Sequence, residues 1–479
     1  FYVYLTVCKK VRLIGVQTID MKKILLLIAL LLLVVGCNNN DFEITTSTEL
    51  KSYQEETKSI SFCDSIYIIK DTLTWRNLSG DEKLKACQLT DITLDTISTS
   101  DLAKTCFNYP LYFEFSLTND EEKSISYMID SYNGLTELSK RSDGAKELME
   151  LYSEIPVMNE NNKYNSDEPG TPFRLRYLEL LLTNTTFIGQ LDEADKESLI
   201  NIFEKKQKEK LNKPEIYGNY STENFNGYLK KISKIQQTVK YDFLGTIYLY
   251  TPFRKSVTGY TYSDFTSTEK YTETKNVLDN YNVVLLDSAS PRYNCHSYAW
   301  NLSNDGDTCW INSSIYSLND NLQQYWVNDL YSTPKPSNSY GYTRVFYYDG
   351  DHSALSSYGS SQYQSKWGKG PLVRHAPTEV PSEYKASYRR FYGNPGISGE
   401  EYISLGNTYE YRVLPNMSYA TYSWSIEEED NRYSIVSQSG NTAYILFTRG
   451  GIFPIYCDIY NSYNELVYNT FFEVLNGEY

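Results

Sequence analysis

Histidine is almost missing from this chain, with three in 479 residues. A zinc site of the H-E-x-x-H type is therefore excluded, and the cysteines supply no C-x2-C spacing to replace it, so neither metal nor cofactor is expected. No block of Lys or Arg occurs. With 45 basic against 60 acidic residues and a net charge of −15, the chain lacks what binds a phosphate backbone, and nucleic acid is excluded as a partner. No apolar run approaches the roughly 20 residues a membrane-spanning helix needs, and no exact repeat period is visible. What is present is a folded composition, 41% apolar with 47 tyrosines, in a chain long enough for two to four domains.

The amino-terminal part is read as an address. Residues 21–37 run MKKILLLIALLLLVVGC: two lysines, a short apolar core, a small residue and a cysteine, the layout of a bacterial signal peptide. Val35-Gly36-Cys37 is similar to the lipobox of bacterial lipoproteins, which implies lipidation at Cys37, an anchor in the cell envelope (outer membrane or cell surface) and no other membrane attachment. Residues 1–20, ahead of Met21, read as translated upstream sequence. Loss of residues 1–36 removes five basic groups and one acid and leaves a net charge of −19, which keeps the mature protein soluble.

Three folded segments are expected after a polar tether at 37–60. Residues 61–240 have helical period: Ile125, Met128, Ile129 and Tyr132 share a face, with Asn133-Gly134 as the stop. Ser79 to Glu82 and Ser98 to Asp101 have capping spacing. Leu148, Leu151 and Tyr152, then Leu175 to Leu182, then Leu199 to Phe203, continue the pattern. This segment has no histidine and is expected to bind or scaffold rather than carry chemistry. At 241–395 strands enter, Ile247 to Tyr250 first, then a helix over Ser267 to Tyr281 and a strand at Val283 to Leu286. From 396 to 479 apolar residues alternate with period two, as in Thr421 to Ile426 and Ile452 to Cys457, at the spacing of a small all-β sandwich with Trp424 in its core. Gly396 to Gly399 and Tyr-Ser-Trp-Ser resemble the Ig-like or PKD-like modules of Bacteroides-type surface proteins.

Chemistry concentrates at 293–375. Tyr293-Asn294-Cys295-His296-Ser297-Tyr298-Ala299-Trp300 places a cysteine at the start of a helix, where negative charge, hence thiolate, is favoured. Asp349-Gly350-Asp351-His352 is a tight turn leading into a strand that begins at His352, and Leu372 to His375 is a later short strand. Cysteine on a helix start facing strand-borne histidines is an arrangement suited to nucleophilic amide chemistry. His296 is read as structural, and Cys295 paired with Cys309 is the rival that would remove the nucleophile. Trp300, Trp310 and Trp367 suit a core, although Tyr293 and Trp367 are also candidates to flank a peptide cleft.

The order of Cys295, His352 followed by small residues, and His375-Ala-Pro resembles the NlpC-like cysteine peptidases, which have a papain-like α+β fold and cleave cell-wall peptide amides. The resemblance covers 241–395. It implies Cys295 as nucleophile, His352 as base and His375 as orienting residue, with Gln362 or Asp351 as substitutes in the third role, and a peptide or peptidoglycan stem peptide as substrate. The expected whole is a multidomain chain: an α-helical domain, a papain-like amidase and an Ig-like sandwich. A surface-binding or adhesion lipoprotein with an inactive domain, and an acyltransferase on the same fold, are the competing readings.

Overall fold

The computed structural model describes residues 69, 71–222, 225–233, 243–312, 321–327, 329–331, 334–335, 343–356, 360–417, 419–427 and 431–476. Residues 21–36, expected as a signal sequence, Cys37 and the expected tether to residue 60 lie outside the described residues, which belong to one compact unit, 44–479. Among them no helix is long and apolar enough to cross a membrane.

The amino-terminal region is helical from Thr72 to Ile232. Local rules start its helices: Ser79 and Glu82 form a reciprocal capping box, Ser98 accepts from the Asp101 amide, and Asp120 caps α1, Glu121–Ser131, each relieving amides that have no partner within the helix. α2, Pro172–Leu182, is apolar nearly all round and is buried on every side. Its two buried charges are paired, Arg176 with Glu121 at 2.6 Å and Glu179 with Lys210 of α3, Glu193–Leu211, because an isolated buried charge is prohibitively costly.

Asn133-Gly134 is not the stop the period suggested. α1 ends at Ser131, Tyr132 caps it, and Asn133–Leu138 begins the next helix. Gly134 answers a different need: a Cβ there would lie 2.4 Å from the Tyr132 ring. The close approach of that ring selects glycine.

The middle region begins with a hairpin, β1 (Phe243–Tyr250) and β2 (Ser256–Tyr262). α4, Ser267–Asn280, follows, capped by Thr266 with Glu269 in a capping box, one residue before the Ser267 start expected from sequence. A seven-stranded sheet comes next, in the order β3-β8-β7-β6-β5-β9-β4. Its strands are β3 (Val284–Asp287), β4 (Pro334–Lys335), β5 (Arg344–Tyr347), β6 (His352–Ser356), β7 (Tyr363–Lys366), β8 (Leu372–His375) and β9 (Arg389–Tyr392). Its neighbouring pairs are antiparallel.

Residues 396–476 hold β10 (Gly396–Ser398), β11 (Tyr402–Ile403), β12 (Thr408–Leu414), β13 (Thr421–Ile426), β14 (Tyr433–Ser439), β15 (Thr442–Phe447), β16 (Ile452–Tyr460) and β17 (Leu466–Asn476), in two four-stranded sheets of order β10-β12-β15-β14 and β11-β17-β16-β13. Every pair is antiparallel except β11 with β17. The alternation in sequence becomes alternation in burial, as in β16 (Ile452–Tyr460), since successive strand side chains face opposite ways. Trp424 is buried in this core. That core is continuous with the middle region through Trp300, Phe346 and Tyr392.

The helical region also clamps the middle sheet. Gly368, at φ +49, lies where a Cβ would meet the Leu117 backbone at 2.3 Å. The Lys369 amide donates to Ser116 O at 2.9 Å, and the Tyr384 hydroxyl donates to Leu117 O. Asn119 is thereby brought to the Asp351 turn that leads into β6.

Candidate functional site

Asn294 builds the turn that presents the cysteine. Its Oδ1 accepts from the amides of Ser297 (3.0 Å) and Ile311 (3.2 Å), and its Nδ2 donates to Ile311 O (2.7 Å) and Asn119 Oδ1 (3.0 Å). The helix opens at Cys295 and widens at once into a π-turn over Ser297–Asn301, a distortion that recurs at functional sites. Cys295 is buried, 1% exposed. Cys295 and Cys309 are both free thiols, so the disulfide rival does not form, and Cys309 contacts Ser297 Oγ at 3.6 Å instead.

Cys295 and His296 turn toward the same side chain, Asn119. The sulfur lies 3.7 Å from both Asn119 Oδ1 and Nδ2, and His296 Nε2 lies 2.9 Å from Asn119 Nδ2. Asp351 closes the group, with Oδ1 3.2 Å from His296 Nε2 and its carbonyl oxygen accepting from Asn119 Nδ2 at 2.7 Å. Asp351 takes a left-handed φ of +49, a conformation costly for a non-glycine residue and concentrated at functional sites. His296 Nδ1 is 2.9 Å from Ser353 Oγ, which also accepts from Trp300 Nε1 at 2.9 Å.

The electrostatics favour a charged His296. Burial alone would push its pKa down, but the Cys295 thiolate and then the Asp351 carboxylate more than offset this and hold it up to about 10. Opposite charges at such range in a poorly solvated site stabilise the ionised imidazole. His296 is thus no bystander pointing away from the cysteine, as its place in sequence implied. Neighbouring residues at a helix start can both reach one facing side chain when that side chain comes from another element.

His352 stands at the start of β6, as expected, and pairs in register with Tyr347. It makes no hydrogen bond to Cys295: neither ring nitrogen has a partner among the described residues. Its ring is fully buried and stacks on Tyr384, centroids 3.8 Å apart at 11°. Burial, then the neighbouring His375 and His296, depress its pKa well below the usual range. The imidazole is neutral because desolvation has no opposing negative charge to overcome it, and the hydrogen bond expected of a base to Cys295 is not made here.

His375 ends β8, opposite Tyr363 of β7. Its Nδ1 donates to Ala376 O at 2.8 Å, and its Nε2 accepts from Ser365 Oγ at 2.7 Å. A backbone carbonyl can only accept, so the tautomer is fixed with the proton on Nδ1. Its bonding partners are Ser365 and the backbone rather than another imidazole. Burial brings its pKa down to about 4.

Trp367 is fully buried, packed edge-on against Tyr281 at 4.9 Å and donating to Ser365 Oγ at 3.0 Å; it has no face left for a substrate. Tyr293 is half-buried, with its ring beneath Lys366 Nζ at 5.0 Å and its hydroxyl 3.4 Å from Asp287. Gln362 is exposed, its amide bonded to Ser360 Oγ at 3.1 Å, whereas Asp351, the other substitute for the orienting role, does meet an imidazole, that of His296.

Asn119 lies in the helical region, where no chemistry was expected. Nothing in the sequence marks it, because Asp120 beside it already explains the helix start and its partners lie 175 to 232 residues away. Asn119 also lines a cavity of about 150 Å³ with Glu121, Arg176, Tyr262, Pro291 and Trp310 among its walls. No known protein family matches the chain, and no curated protein is similar to it.

Proposed function

We propose that the protein is a cysteine amidase or peptidase in which Cys295 is the nucleophile, His296 the proton acceptor and Asp351 the residue that orients it. The observation that carries this reading is the convergence of the three on one buried point, with the His296 pKa held up to about 10 between the Cys295 sulfur and the Asp351 carboxylate. The Cys295 sulfur, its proton already held by His296, attacks the amide carbonyl carbon, and His296 gives that proton to the leaving amine. The backbone amides at the helix start face the developing oxyanion, and water releases the thioester. The cavity beside Asn119 is the approach for a peptide chain. With the lipobox-like Cys37, the substrate class is a peptide outside the inner membrane, such as a peptidoglycan stem peptide, cleaved by an envelope-anchored enzyme with a papain-like middle domain and an Ig-like carboxy-terminal module.

A second reading keeps His352 as the base. It is favoured by one observation, the two unpartnered ring nitrogens of a fully buried imidazole, which burial normally penalises. In that case the Cys295 side chain leaves Asn119 before it reacts. Iodoacetamide labelling located by mass spectrometry, followed across pH in His296→Gln and His352→Gln, separates the two. Loss of the low-pH reactivity in the first variant alone supports His296, loss in the second alone supports His352, and an unlabelled wild-type Cys295 contradicts both.

A further inference from the structure

We propose that the groove at the end of β5 and β6 opposite the Asp351 turn is a binding site for a phosphate monoester, held by Arg374 and Arg344. It shares no lining residue with the cavity beside Asn119 and does not depend on the amidase reading. Strand register builds it. Arg344 of β5 stands opposite Leu355 of β6, Leu355 opposite Gln364 of β7, and Gln364 opposite Arg374 of β8. The four therefore form one row on one face of the sheet, about 14 Å from end to end at the backbone. Ser303, Ser361 and Gln362 add to the walls of a groove of about 700 Å³, a size that takes a small molecule.

The charge of this groove is opposite to that of the chain. The protein carries −15, yet the ten described residues that line the groove include two arginines and no carboxylate. Arg344 is only 9% exposed, and its guanidinium donates to neutral acceptors alone. These are Ala299 O at 3.3 Å, Thr343 Oγ1 at 2.7 Å, Ser303 Oγ at 3.0 Å and Asn304 Oδ1 at 3.4 Å. They use four of its five N–H hydrogens and leave one on Nη1. The Tyr331 ring, 4.7 Å away, offsets part of the charge, but no carboxylate among the described residues does so, an arrangement that burial penalises. Arg374 is exposed and makes no hydrogen bond or ion pair among the described residues, so its whole fork is open. Between the two, Gln364 Oε1 accepts from the Tyr298 hydroxyl at 3.1 Å, which leaves the Nε2 hydrogens for a ligand.

Two guanidinium charges without a negative partner select a dianion over a carboxylate or a neutral sugar. A phosphate monoester carries about −1.5 to −2 near neutral pH and presents three terminal oxygens. The Arg374 fork meets two of them in the bidentate geometry a guanidinium favours, and Gln364 Nε2 donates to the third. The esterified group lies along the row toward Arg344, whose remaining hydrogen and charge close the far end.

The test measures binding to the full chain at low salt. Calorimetry uses glucose 6-phosphate, glucose and glucuronate; co-sedimentation uses phosphatidylcholine vesicles with and without phosphatidic acid. Glucose 6-phosphate binding marks a soluble ester as the ligand, and binding of the phosphatidic acid vesicles alone marks a lipid headgroup. Nonspecific attraction cannot produce the second result, because a chain of this charge is repelled by an anionic surface. In either case Arg374→Gln, which alters an exposed side chain, weakens binding at least about tenfold, and glucose and glucuronate bind at least about tenfold less tightly than glucose 6-phosphate. Absence of binding to both phosphate probes overturns the proposal. So does undiminished binding by Arg374→Gln, or glucuronate bound as tightly as the phosphate ester.

Discussion

Two parts of the middle region treat histidine in opposite ways. At the helix start, His296 is surrounded by groups that want it charged, Cys295 and Asp351, with Ser353 on its other nitrogen. On the strand face, His352 and His375 are surrounded by aromatic rings, Tyr384 and Trp367, and are kept neutral by burial. All three are fully buried. Burial alone thus decides nothing about an imidazole; the sign of its nearest charge does.

The largest effects break the charged side of this comparison. Cys295→Ala removes thiol labelling at this position and, on the proposed reading, lowers amide cleavage by more than about 10³-fold; cleavage at the wild-type rate contradicts it. Asp351→Asn keeps the turn but removes the carboxylate, and reactivity of Cys295 near neutral pH falls about tenfold. Unchanged alkylation kinetics across pH count against the role given to Asp351.

The neutral side is sharpened by stability rather than by activity. His375→Ala leaves the Ser365 hydroxyl without its acceptor and opens a gap beside Trp367, so urea unfolding shows a loss of about 2–4 kcal/mol while Cys295 alkylation by iodoacetamide stays near wild type. Were His375 a catalytic orienting group, alkylation would fall instead.

His375 also fixes the direction of a pH effect. Its folded pKa, about 4, lies below the usual 6.5, so the unfolded chain binds a proton first as pH falls. Stability contributed above 6.5 is then lost on the way down to about 4, on the order of 3 kcal/mol, and His352 acts in the same direction. Denaturant titrations at steps through this window test it, and a flat profile is the contrary result. His296 has the reverse sign: its stabilisation is complete below pH 6.5 and disappears as pH rises through about 10.

The smallest effect on the site is expected from the far core. Trp424→Ala lowers stability by about 3–5 kcal/mol but leaves Cys295 reactivity unchanged below the unfolding transition, a separation that a thermal melt and a labelling rate taken together can refute.

Local and pairwise information was legible in the sequence. The capping box at Ser79, the helix face through Met128, the tight turn before His352 and the alternation around Trp424 all depend on residues within one turn or strand of each other, and all are found. The helix opening at Cys295 belongs with them. What could not be read was which distant side chain would face that helix start. Asn119 reaches it only because Gly368 and Tyr384 dock the helical region onto the sheet, and no periodic pattern encodes such a meeting. Trp367 failed as a cleft residue for a related reason, since an aromatic next to a glycine has the same sequence signature in a groove and in a core. Nor does the sequence show that Asp351, in its left-handed turn, points its carboxylate at His296 rather than at His352 beside it.

On the proposed reading, the reactive imidazole is the one beside the cysteine in sequence. The pH dependence of Cys295 alkylation by iodoacetamide, measured in the wild type, His296→Gln and His352→Gln, tests it most directly. An ordinary thiol titrates near 8.5, so about two pH units lower its thiolate population is down roughly 10²-fold. The wild type and His352→Gln are expected to stay reactive at that lower pH with rates within about threefold of each other, while His296→Gln loses about 10²-fold. Retained low-pH reactivity in His296→Gln together with its loss in His352→Gln would contradict the account.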